Sequence, residues 1–268
     1  MWVTLAKGHT RSEMLRLVTI PISHYCEKAR WALDRAGISY REERHVQGVH
    51  RLAAKRAGGG ITVPVLVTPD GAIGESSEII AWVDARIAPE RRLLPEEPGA
   101  RREVEALCAR LDEGLGPAGR RLIYVHMLPV PGLMLDFNNR GVPRWEDRML
   151  RWCWPLMRRF VQRALDITPG IEIQDETAVW REFDFVAEVL GARPFLCGER
   201  FGAADLTFAS LAAAVIAPSV YGTALPQPEV LAPRTAELVR RAREHPAGRF
   251  ALRLIAEERR PVAHVGGH

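Results

Sequence analysis

A hydroxyl and a thiol stand three positions apart, Ser23 and Cys26, in the run Ile20-Pro21-Ile22-Ser23-His24-Tyr25-Cys26-Glu27-Lys28-Ala29-Arg30-Trp31-Ala32-Leu33. The apolar stretch 15–20 before them reads as a strand, and apolar residues at Ala29, Ala32, Leu33 and Ala36 after them read as a helix. A helix start leaves backbone N–H groups unpaired and presents the positive end of the helix dipole, so this is a place to hold a thiolate. A free thiol is only a few per cent ionised at neutral pH, and a pKa lowered by about one to two units makes most of it nucleophilic. Ser23 has two readings. It is a helix N-cap, or its hydroxyl donates to an incoming sulfur and stabilises it as thiolate; the two are compatible. Cys26 is the rival nucleophile or a buried structural cysteine, since it occupies the more buried second position of a Cys-x-x-Cys spacing whose first member is Ser.

Two further pieces have residue types suited to binding. Pro64 lies inside the apolar run Thr62-Val63-Pro64-Val65-Leu66-Val67, where it removes a ladder donor. Either this is an edge strand, or the Val63–Pro64 bond is cis and turns the N–H and C=O of Val63 toward a peptide ligand. Glu75-Ser76 precedes the helical pattern Ile79, Ile80, Val83, Ile87. Ser76 is an N-cap, or its hydroxyl and the first-turn N–H groups bind a carboxylate while Glu75 pairs with an ammonium group.

The elements that would position these residues alternate at first. Strands are expected at 15–20 and 39–46, helices at 25–36 and 49–57, a hairpin at 63–68 and 72–73 around Pro69-Asp70-Gly71, and a helix at 76–87. The Pro-rich, charged segment 89–99 reads as a linker. Helical periodicity then takes over at 100–125, 145–167 (interrupted at Pro155), 171–190, 203–217, 233–244 and 246–258. Residues 126–143, with Pro129, Pro131, Gly132, Gly141 and Pro143, read as a long loop, and 1–13 and 261–268 as flexible ends. The fold class is thus α/β plus all-α: a thioredoxin-like βαβαββα unit over 14–88 and an all-helical unit over 100–260.

The 268 residues are 47% hydrophobic and 26% charged, an ordinary globular balance. With 37 Lys and Arg against 33 Asp and Glu, no basic stripe singles out nucleic acid. The densest basic stretch, 148–163, interleaves arginines with Trp152, Trp154, Leu156, Met157 and Phe160 and reads as an amphipathic helix with a solvated basic face. Cys26, Cys108, Cys153 and Cys197 are scattered, so neither zinc nor a disulfide framework is indicated. The N-terminal residues lack the basic-then-apolar order of a signal peptide, and the apolar run 206–218 is too short to span a bilayer; the expectation is a cytoplasmic protein with no membrane partner.

Together, Ser23-x-x-Cys26 with Glu27-Lys28-Ala29-Arg30-Trp31-Ala32-Leu33, then Val63-Pro64, then Glu75-Ser76, resemble the cytosolic glutathione transferases over roughly 14–258. They are most similar to the serine or cysteine types, because the first strand ends Val18-Thr19-Ile20 without the tyrosine of other classes. The segment 193–206, ending Phe201-Gly202-Ala203-Ala204-Asp205-Leu206, resembles the capping box of that family's buried helix, with Gly202 in place of Ser or Thr. The resemblance implies glutathione as co-substrate and no metal. Ser23 would activate the thiol, Thr62 and Val63 would contact the peptide, and Glu75 and Ser76 would hold the γ-glutamyl end. His50, Lys55 and Arg56 are candidates for the glycine carboxylate. Thr62 stands where many members carry a basic contact residue. A hydrophobic electrophile would bind between the two units, near Tyr124, His126, Met127, Trp152 and the 127–143 segment. The family reading implies a homodimer through the third helix and the 100–125 helix. It leaves three activities open: thiol transfer to an apolar or aromatic electrophile as in detoxification, glutathione-dependent reduction or ether cleavage, and a non-catalytic binding role.

Overall fold

The computed structural model describes residues 14–260, so the readings of 1–13 and 261–268 as flexible fall outside the described residues. Strands β1 (Leu15–Thr19), β2 (Tyr40–Arg44), β3 (Val65–Thr68) and β4 (Gly71–Ile73) form one sheet in the order β2-β1-β3-β4. β1 is parallel to β2 and antiparallel to β3, with Leu17 opposite Glu42 on one side and Leu66 on the other. Helices α1 (His24–Ala36) and α3 (Ser76–Asp84) pack together, and α2 (Val49–Arg56) lies against β1. This is the thioredoxin-like unit read from the sequence. The α1 helix starts where the Ser23 Oγ accepts the Cys26 N–H at 3.3 Å. It stops at Gly37, whose φ of 68° lets its N–H turn back onto Asp34.

The charged residues of α1 lie inside the protein. Lys28 and Arg30 are fully buried, and Glu27 and Asp34 nearly so. A buried charge persists only when it is paired. Lys28 Nζ meets both carboxylate oxygens of Asp112 at 2.7 Å. Arg30 bridges Glu27 at 3.2 Å and Glu42 at 2.7 Å. Arg259 reaches Glu27 at 2.7 Å and Asp34 at 2.6 Å.

The helical unit comprises α4 (Pro98–Glu113), α5 (Leu115–Met127), α6 (Pro131–Asn138), α7 (Arg144–Trp152), α8 (Trp154–Ala164), α9 (Ile171–Leu190), α10 (Ala203–Ile216), α11 (Pro233–Glu244) and α12 (Pro246–Glu258). α10 is apolar all round and packs against α1, α4, α5 and α12 at the centre of the core. Its start keeps half of the capping box: the Gly202 N–H donates to Asp205 Oδ2 and the Leu196 N–H to Oδ1, both at 2.9 Å. A Cβ at position 202 would lie 3.1 Å from the Leu93 carbonyl, which accepts the Ala203 N–H at 2.8 Å. Glycine therefore allows the close approach that a Ser or Thr side chain would crowd. The connecting segment is pinned as well. Leu93 and Leu94 are buried, and the Asp84 carboxylate accepts their N–H groups at 2.5 and 3.2 Å.

Three element readings are corrected. The expected helix 100–125 is two helices, α4 and α5, because Gly114 breaks the chain at φ −92° and ψ −71°. The expected loop 126–143 contains α6, since Pro131 sits in the first turn, where its missing N–H costs nothing, and Met134 and Leu135 are buried. The 145–167 helix divides at Cys153 with Pro155 in the first turn of α8. Within that pair only part of the apolar set turns inward: Trp154 is buried, whereas Trp152 is 86% and Leu156 72% exposed. No helix among the described residues is long and apolar enough to cross a membrane.

Candidate active site

The β1–α1 junction opens onto two cavities. The first, of about 380 Å³, is lined by Ser23 and His24 and by apolar groups that include Ile123, Met127, Met134 and Phe137. The second, of about 740 Å³, reaches the start of α3 and is lined by Glu75, Ser76, Glu105 and Asp112. Tyr25, Thr62, Val63 and Arg120 line both.

Three candidate activators lie within four residues, and their environments separate them. The Cys26 thiol is fully buried, and burial pushes its pKa up, which makes it a poor thiolate. The Tyr25 hydroxyl is committed, donating to the Asp112 carbonyl at 2.8 Å, and burial raises its pKa to about 12. Tyr25 fits only because residue 116 is glycine: a Cβ there would come within 2.1 Å of the Tyr25 oxygen. Ser23 accepts the Cys26 N–H through one lone pair and also lies within hydrogen-bonding reach of the Cys26 thiol; its hydroxyl proton can be redirected to an incoming sulfur by rotation about the C–O bond. His24 is 4% exposed, and burial, reinforced by the nearby Arg120 and Lys28 charges, lowers its pKa to about 3, so the ring is neutral. Its Nε2 has no hydrogen-bond partner.

The start of α3 departs from the simple capping reading. Glu75 is the N-cap residue, makes no side-chain cap bond and is exposed, while Ser76 is buried in the first turn. Side chains therefore leave the first-turn N–H groups beside the second cavity uncapped. The Val63–Pro64 bond is cis. Of the candidates for a glycine carboxylate, His50 lines the first cavity with its neighbour Arg51, whereas Lys55 and Arg56 are exposed and line neither. Burial lowers His50 to about 4, so a positive charge at that end comes from Arg51.

The four candidate electrophile contacts divide. Tyr124 and Met127 line the first cavity, and the Tyr124 oxygen accepts from Gln47 at 2.9 Å. His126, on another face of α5, lines neither cavity; nor does Trp152, which projects into solvent. Arg120, Ile123, His24, Arg51 and Tyr221 were not singled out by sequence reasoning. Arg120 could have been: with Tyr124 and Met127 it occupies positions i, i+4 and i+7, one face of α5. Tyr221 comes from the segment after α10, which is tied over the start of α1. The Tyr221 hydroxyl donates to the Ile22 carbonyl at 3.4 Å, and the Gly222 N–H to Glu27 at 3.0 Å.

Residues 17–91 match the family model described as glutathione S-transferase, N-terminal domain. Comparison with curated protein sequences finds no match. Among solved structures, a glutathione S-transferase from Xanthobacter autotrophicus Py2 is similar at a TM-score of 0.57 and 18% identity, covering 95% of each chain. A glutathione transferase family member from Pseudomonas fluorescens Pf-5, solved with two glutathione bound, gives 0.57 and 16%, over 93% of this chain and 92% of that one. Glutathione transferase F7 from Populus trichocarpa gives 0.58 and 15%, over 92% and 95%. Residues 17–91 thus match the glutathione S-transferase N-terminal domain, and the chain as a whole has the fold of the glutathione transferases.

Proposed function

We propose that the protein is a glutathione transferase that holds the thiol as thiolate with Ser23 and directs it at an electrophile in the first cavity. The γ-glutamyl end lies in the second cavity, its carboxylate on Ser76 and the first-turn N–H groups of α3, its ammonium beside Glu75. The peptide backbone runs along Thr62 and Val63, and the glycine carboxylate turns toward His50 and Arg51. The sulfur then sits between the cavities. Its lone pair forms a C–S bond to the electrophilic carbon while the leaving group departs with the bonding pair. Ser23 lowers the barrier by keeping the sulfur ionised, and the shared wall lowers it by fixing the direction of approach.

One observation carries this reading. Among Ser23, Tyr25 and Cys26, the serine is the donor that lines the apolar cavity without being fully buried, as Cys26 is, or bound to a backbone carbonyl, as Tyr25 is. A reductase working through its own Cys26 is disfavoured by the burial of that thiol. A homodimer through α3 and α4 belongs to the same proposal. The test is calorimetric titration of glutathione into wild type and Ser23→Ala, with the ultraviolet absorbance of bound thiolate followed against pH. Binding to both, with a depressed thiol pKa in wild type alone, supports Ser23 activation. Folded wild type that binds no glutathione overturns the enzyme reading and favours a binding role.

A further inference from the structure

We propose, resting on the reading above, that the second substrate carries a carboxylate, and that Arg120 receives it while the apolar walls take the rest of the molecule. Arg120 projects from α5 at the boundary between the cavities. Its Nε is buried and makes no hydrogen bond, and the guanidinium is in no ion pair among the described residues. Its nearest recorded partner is the Tyr25 ring, 5.9 Å away. The neighbouring Arg121 behaves in the opposite way, with both Nε and Nη2 on Asp175 at 2.7 Å. Arg110 likewise pairs with Glu182 at 3.0 Å. Arg120 as a whole is half-buried, so the cost falls on the Nε withdrawn from water without a partner, and a bidentate carboxylate is the ligand that matches the fork of Nε and Nη.

The cavity itself offers no such partner. Its described lining contains neither Asp nor Glu, although it contains Arg51 and Arg120. Arg51 sits beside His50 at the end assigned to the glycine carboxylate, with its guanidinium 6.0 Å from the Phe160 ring, so Arg120 is the cation left over. His24 is neutral and brings no charge that would repel Arg120 or compete for the anion. Below Arg120 the wall continues with Ile123, Met127, Met134 and Phe137, a surface for an alkyl or aryl body. The ligand class is therefore an amphipathic acid: an apolar chain or ring ending in a carboxylate, with its electrophilic carbon toward Ser23.

The rival role for Arg120 is on glutathione itself, since the residue also lines the second cavity. The probes are 4-phenylbutanoate and the uncharged 4-phenylbutanamide, titrated calorimetrically without glutathione into wild type, Arg120→Met and Arg120→Lys. Because neither probe needs catalysis, the outcome is independent of whether the transferase reading survives. We expect wild type to prefer the acid by about tenfold, Arg120→Met to bind both equally, and Arg120→Lys to retain part of the preference. Glutathione affinity should be the same in wild type and Arg120→Met. Equal binding of acid and amide by wild type overturns the proposal, as does a preference that survives in a folded Arg120→Met. A shift of glutathione affinity in that variant also overturns it, and reassigns Arg120 to glutathione.

Discussion

The two cavities share a wall and differ in almost everything else. The first is apolar, has no carboxylate in its described lining, and contains two arginines without acidic partners. The second gathers Glu75, Glu78, Glu105, Asp112 and Glu113 and contains Lys28, whose charge is already spent on Asp112. One chamber suits an ammonium group, the other an apolar body with a negative end. A thiol spanning them would present its amino end to the acidic side and its sulfur to the apolar side. The division is maintained by Tyr25, which is locked to the Asp112 carbonyl and packed on Gly116. On the proposed reading, selectivity is a property of the partition as much as of either chamber.

Removing the hydroxyl at the junction should have the largest effect. Ser23→Ala should lower kcat/KM by about a hundredfold to a thousandfold, the scale seen when one charge-stabilising donor is lost, while calorimetry still detects glutathione binding. Breaking the partition comes next. Gly116→Ala forces Tyr25 to move, so thermal unfolding should show a loss of about 1–3 kcal/mol, and affinities for both ligands should fall together. If only one falls, the chambers are independent and the wall is incidental.

Charge on the apolar side gives a third test. Unfolded, His24 takes a proton below about pH 6.5; folded, it resists until about pH 3. Its contribution to stability is thus complete above the unfolded value and is lost as pH falls through that window. Between pH 7 and 5 the loss should be about 2 kcal/mol in wild type. His24→Gln should flatten that part of the pH profile in denaturant titrations, and an unchanged slope would argue that the ring is already charged. A smaller effect is expected at the exposed rim of the acidic side: Glu75→Gln should weaken glutathione by about fivefold, with the thiol pKa unmoved. Smallest of all is Trp152→Ser, which should leave turnover and binding at wild-type values because that ring lines neither chamber.

Local sequence signals located much of this geometry. The β1–α1 junction, the stop at Gly37 and the bounds of α9, α11 and α12 all follow from apolar periodicity with Gly and Pro punctuation. Two of the three element corrections share a cause. In the sequence Pro131 and Pro155 read as interruptions, yet a proline in the first turn is compatible with a helix beginning there. The misplaced Trp152 follows from that error, because a continuous helix and two helices meeting at Cys153 send the same side chain in different directions. Tyr124 and Met127 were legible because aromatic and Met residues draw attention. Arg120 on the same face was not, because the feature that matters there is a missing partner, and no local pattern records which carboxylates fail to approach.

The buried charges of α1 have a consequence for how the chain is made. Glu27 and Asp34 belong to a helix that ends at residue 36, yet the guanidinium shared between them is 225 or more positions away, on Arg259. Lys28 waits in the same way for Asp112. An N-terminal unit emerging from the ribosome can form its sheet and helix and pair Arg30 with Glu27 and Glu42, but it cannot close the Lys28–Asp112 and Arg259 pairs until α4 and then the residue after α12 arrive. The two units thus mature as one object. Shortening the chain before residue 259 should therefore destabilise the N-terminal half, although that half is already complete in sequence.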